Sequence, residues 1–90
     1  MSKTKITVAY ADEIEFGIFT VVARAADGRW LQHEGPKGFA IFTEKEANDM
    51  VARVKNAGQV NEQFWIDGTG GDYGTDAHEY ALMELEYYER

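Results

Sequence analysis

Cysteine is absent from the 90 residues, and proline occurs once, at Pro36. Without a thiol the chain has no disulfide framework, no cysteine nucleophile, no iron–sulfur ligands and none of the usual cysteine-based zinc sites, which suits a reducing compartment. Serine occurs only at Ser2, in a terminal segment prone to fraying, which leaves serine-type catalysis without its nucleophile. No run of about 18 apolar residues is present, and the opening MSKTKITVAY lacks the continuous apolar segment of a signal peptide. The expectation is a cytoplasmic protein, neither secreted nor inserted in a membrane.

Positive charge is the next scarcity, and it is local. Residues 60–90 hold eight acids (Glu62, Asp67, Asp72, Asp76, Glu79, Glu84, Glu86 and Glu89) against Arg90 alone, whereas residues 1–59 hold eight acids and eight bases. The net charge of −7 therefore belongs wholly to the last third of the chain. Such a segment repels a polyanion, so direct binding of DNA or RNA is not expected. What the chain does have is a 44% share of apolar residues and 13% of aromatics, enough for one modest core. A single domain over residues 1–90 follows.

KITVAY alternates Ile6, Val8 and Tyr10 with Lys5, Thr7 and Ala9, the period of a half-buried strand. ADEIE follows as a charged connection. FGIFTVVARAA reads as the next strand, Asp27–Gly28 as its hairpin turn and RWLQHE as the returning partner. GPKG at Gly35–Gly38 is a turn and FAIF a further short strand. Thr43 and Glu46 form a capping box ahead of Ala47, Met50, Val51 and Val54, which are spaced as one helical stripe that Gly58 terminates. VNEQFWI is a last strand and DGTGGDYGT a glycine-rich loop. Asp76 and Glu79 then cap an acidic helix over AHEYALMELEYYE, with Ala77, Tyr80, Ala81, Leu85 and Tyr88 inward. The fold class is α+β: an antiparallel sheet of four or five strands with one helix packed on it and a C-terminal acidic helix.

Chemical motifs are incomplete. His33 and His78 each precede a glutamate, but Leu82 stands where a zincin helix needs its second histidine. DGTGGDYG lacks the lysine of a phosphate-binding loop, and its Asp67 and Asp72 repel an anion. As a calcium loop it puts Asp67 where the repeat needs glycine and has no second copy to stack on. No catalytic site, metal or cofactor is expected.

The remaining candidates are the acids and rings of the last third. Asp72, Asp76, Glu79, Glu84, Glu86 and Glu89 form the expected contact array, Trp65, Tyr73 and Tyr87 add exposed aromatic area, and Glu62 and Asp67 stand behind them. Carboxylates held on a helix lose little entropy on binding. A surface made only for solubility would intersperse lysine among them.

A chain of this size and acidity, free of cysteine and built α+β, resembles the anti-CRISPR proteins, small phage-encoded inhibitors, several of which are similar to nucleic-acid mimics that set carboxylates where phosphates would lie. The resemblance implies a non-enzymatic inhibitor, monomeric or homodimeric, in the cytoplasm of a host bacterium. Its partner would be a protein with a basic nucleic-acid-binding groove, such as a Cas effector subunit of a CRISPR surveillance complex, whose binding of target DNA it blocks. No motif carries the resemblance, so the contact residues named above rest on charge and spacing alone. The alternative is an accessory module that oligomerises through an exposed sheet edge and uses its charge for solubility.

Overall fold

A computed structural model describes residues 3–36, 40–61, 65–67 and 73–88, with 65–67, 73–78 and 88 given by their backbone alone. Among the described residues the elements are β1 Lys3–Glu15, β2 Ile18–Ala25, β3 Trp30–His33, β4 Phe42–Thr43, α1 Glu44–Ala57, β5 Gln59–Asn61, β6 Trp65–Asp67 and α2 Tyr73–Tyr88. The fold is α+β, as the sequence pattern predicts. Five strands lie antiparallel in the order β5-β1-β2-β3-β6, and the two-residue β4 pairs with β2 beside that path.

ADEIE, expected as a connection, is instead the second half of β1, which runs 13 residues. Its pairing with β2 continues through Asp12↔Thr20 to Glu15↔Ile18, so the turn falls on Phe16–Gly17, residues the sequence reading places in the following strand. Charge does not break the strand, because Glu13 and Glu15 stay exposed while Ile14 between them is buried. Gly17 turns at φ +77°, a conformation that costs other residues strain, and its N–H donates to the Glu13 carboxylate at 3.0 Å.

VNEQFWI, expected as one strand, contributes to both edges of the sheet. Gln59–Asn61 pairs with β1 and Trp65–Asp67 with β3. Five strands laid flat would separate their outer members by about 19 Å. The Cα steps from Asn61 to Trp65 reach no more than about 15 Å. A flat sheet therefore cannot hold both pairings, and β1 has register irregularities at Ile6/Val8 and Glu13/Glu15, of the kind that bend a strand. Of FAIF, Phe39 lies outside the described residues, and among the others only Phe42 pairs, together with Thr43. The N–H of Ala40 is committed to a side chain of α2 instead.

Helix α1 covers one face of the sheet. Ala9, Ala23, Ala25 and Leu31 pack with Val54 and Val60, and Val21 packs with Phe42 and Ala47. The small strand alanines let the helix sit close. The capping box forms as the spacing predicts: Thr43 Oγ1 accepts the Glu46 N–H at 3.2 Å, and the Glu46 carboxylate accepts the Thr43 N–H at 2.9 Å. At the other end Gly58 takes φ +69° and donates its N–H to the Val54 carbonyl at 2.9 Å.

On the opposite face, Tyr10 and Trp30 cover Val22 with their rings edge to face, 6.3 Å between centroids. The buried Gln32 donates to Thr20 Oγ1 at 2.8 Å, which satisfies two polar groups inside the core. Helix α2 starts at Tyr73, ahead of the expected Ala77, so Asp76 and Glu79 lie within the helix and do not cap it. Among the described residues no helix is long and apolar enough to cross a membrane.

Candidate functional site

Helix α2 is seated at the tip of the β1–β2 hairpin. Ala81 is fully buried against Ile14 and Ile41, and the half-buried Ile18, Leu82 and Leu85 close around that cluster. A polar tie fixes the helix further, since the Glu84 carboxylate accepts the N–H of buried Ala40 at 2.8 Å. Removing that acceptor strands a buried amide, at a cost of about 1–3 kcal/mol.

Successive helical residues turn by about 100°, so a helix that buries Ala81, Leu82 and Leu85 presents Glu79, Met83, Glu86 and Tyr87 on its far side. The exposures agree: Glu79 and Glu86 are exposed, Met83 is 61% and Tyr87 79% accessible. Glu79 and Glu86 fall nearly in line two turns apart, about 10.5 Å along the axis. Three nucleotides of one DNA strand rise about 10 Å. Two of the bases in the first 59 residues are held by acids of their own region: Arg29 pairs with Asp27 at 2.8 Å and Lys45 with Asp49 at 2.9 Å. Hydrogen bonds from the Arg29 backbone and side chain hold the Asp27 carboxyl below its ordinary range, and the hydrogen bond to Asp49 raises Lys45.

The expected contacts therefore divide. Glu79, Glu86 and Tyr87 share one exposed face. Glu84 is half-buried and serves as an acceptor within the fold. Trp65 and Asp67 are placed in β6, at register positions opposite His33 and Leu31, and Tyr73 and Asp76 lie in the first part of α2. Asp72, Glu62 and Glu89 lie outside the described residues. Sequence reasoning misses Met83, which reads as one more apolar residue of an amphipathic helix; its position four residues after Glu79 is the signal that turns it outward.

It also misses the hairpin tip. Phe16 is 100% exposed, between exposed Glu15 and Gly17 and close in sequence to exposed Glu13. No base occurs from Ile6 to Ala23, so this is a second acidic segment that a charge count over the first 59 residues hides. The fold sets it against α2, where Gly17, Ile18 and Leu85 line one cavity of about 90 Å³. Leaving a phenylalanine ring in water forgoes about 1.5–3 kcal/mol of burial.

His33 is the one described histidine side chain. It lies half-buried, edge to face with Phe42 at 5.7 Å, in a cleft of about 410 Å³ shared with Glu34, Glu46, Asp49 and Arg53. Burial pushes its pKa below the ordinary 6.5, against the opposing pull of a hydrogen bond and charge from Glu34. The carboxylates around it have local roles, Glu46 in the capping box and Asp49 on Lys45. Among the described residues no three histidine, aspartate or glutamate side chains converge to hold a metal ion. Gly68 to Asp72 of the glycine-rich stretch lie outside those residues. No protein-family model matches the chain, and no curated protein and no solved structure is significantly similar to it.

Proposed function

We propose that this chain is a non-enzymatic inhibitor that lays the acidic face of α2 into the basic nucleic-acid-binding groove of a partner protein, in the manner of an anti-CRISPR blocking target DNA binding by a CRISPR surveillance complex in the host cytoplasm. The observation that carries the reading is the outward alignment of Glu79 and Glu86, with Met83 and Tyr87 between and beside them, on a helix tied down by Ala81, Leu85 and Glu84. A groove lined by arginine and lysine attracts that face at long range, and carboxylates in place take the charge-assisted hydrogen bonds meant for phosphate. The thioether and the phenol add apolar contact that phosphate lacks.

The test is a DNA-binding assay with a purified CRISPR surveillance complex. The chain is expected to compete with target DNA, less so as salt rises and the Debye length shrinks from about 10 Å at 0.1 M. Glu79→Lys with Glu86→Lys is expected to abolish competition while the protein stays folded. Competition that survives that double variant counts decisively against the reading. The alternative, oligomerisation through a sheet edge, draws on β1, which among the described residues pairs with β5 only at Lys3–Lys5 and with β2 alone from Ile6 to Glu15. A stable dimer with no affinity for the complex, read by light scattering, would favour it.

A further inference from the structure

We infer that the β1–β2 turn is an apolar anchor: Phe16 enters a hydrophobic pocket of the partner protein, and the rim of that pocket is lined by lysine and arginine. The inference rests on the reading of the α2 face above and adds the residue that makes the contact specific to a protein. Four observations carry it.

First, Phe16 stands apart from the other described aromatic side chains of the first 59 residues: Phe42 is buried, and Tyr10, Phe19 and Trp30 are half-buried, while Phe16 is fully exposed. Second, the turn does not call for a ring. A tight hairpin connection needs the positive φ that Gly17 supplies, and its other position is served as well by asparagine, aspartate or serine, which water solvates better. Third, the turn is already in place. The Glu15↔Ile18 pair closes it and the Glu13 carboxylate holds the Gly17 N–H, so little entropy is lost when the ring is buried by a partner.

Fourth, charge says which partner. Exposed Glu13 and Glu15 flank the ring, and the α2 acids adjoin through the packing of Ile14 and Ile18 on Ala81, Leu82 and Leu85. A second copy of this chain would bring like charge to that rim, whereas a cationic one is attracted. Aromatic anchors seated in apolar pockets and ringed by charge are the usual centre of such contacts.

The test uses the full chain and two synthetic probes of equal charge, a lysine homopeptide and an amphipathic leucine–lysine helix, with binding read by fluorescence anisotropy. The intact protein is expected to bind the amphipathic helix more tightly than the homopeptide. Phe16→Ser is expected to lower affinity for the amphipathic helix about tenfold and leave the homopeptide unchanged, with no change in the urea midpoint, because the ring packs on nothing in the fold. Glu79→Lys with Glu86→Lys is expected to weaken both. A Phe16→Ser protein that binds the amphipathic helix as the parent does overturns the anchor and leaves the acidic face standing. An intact protein that binds neither probe overturns both.

Discussion

Helices α1 and α2, 14 and 16 residues long, handle charge in opposite ways. In α1, Glu44 and Glu46 stand in the first turn and Lys55 in the last, where the macrodipole favours them, and Lys45 meets Asp49 one turn on. Both ends are capped. In α2 the last turn holds no base, and Glu86 sits there against the negative end of the dipole. The first helix is built for its own stability, and its stripe of Ala47, Met50, Val51 and Val54 covers the sheet. The second carries Glu86 where the dipole opposes it and leaves Met83 and Tyr87 exposed. Features that oppose local stability mark the part of a molecule shaped by something other than folding, and here they collect on α2 and the Phe16 turn beside it.

Breaking the α1 side should cost the fold. Leu31→Ala, at a site 1% exposed within the α1-facing core, is expected to lower unfolding free energy by about 2–5 kcal/mol, measured by urea titration. Breaking the α2 side should cost binding instead. Glu79→Lys with Glu86→Lys is expected to abolish competition with DNA, a loss of at least about a hundredfold, equivalent to about 2.7 kcal/mol. The same variant should stay folded, because both side chains are exposed; a collapsed thermal transition would show that these acids hold the fold.

Glu84→Ala separates the two roles within one helix, with an expected loss of about 1–3 kcal/mol from the stranded Ala40 amide. Hydrogen exchange of α2 should quicken, and an unchanged exchange pattern would remove Glu84 as the tie. Thr43→Ala takes the cap from α1 and should cost about 1 kcal/mol with no effect on competition.

The smallest effect concerns pH. The folded pKa of His33 lies below 6.5, so the unfolded chain takes up that proton first. Its penalty is absent well above pH 6.5 and grows as pH falls through that value, until the folded histidine also protonates. His33→Gln should flatten this part of the stability curve, and an identical curve would show that burial leaves the ring unaffected.

Helix α1 was legible because its determinants act within a few residues: a capping box, a stripe of four apolar side chains and a glycine that accepts a left-handed conformation. The β2–β3 turn at Asp27–Gly28 was legible for the same reason, with Asp27 accepting the Arg29 N–H at 3.1 Å and Gly28 at φ +97°. The second half of β1 was not. Three acids in ADEIE look like a break when read as charge, yet in register Asp12 is half-buried and only Glu13 and Glu15 are exposed, on a strand whose partner lies across a turn. Nor could local pattern show that VNEQFWI serves both sheet edges, because strand partners are chosen across the whole chain.

By itself the sequence determined the α+β class, the capped α1 helix and the concentration of net negative charge in the last third, since composition and short-range hydrogen bonding need no tertiary context. Only the tertiary structure decided which carboxylates face outward, that Glu84 turns in to Ala40, and that an acidic hairpin tip bearing Phe16 joins α2. Burial is settled by contacts between residues far apart in the chain, and a side chain's role at a surface depends on what its neighbours have already covered.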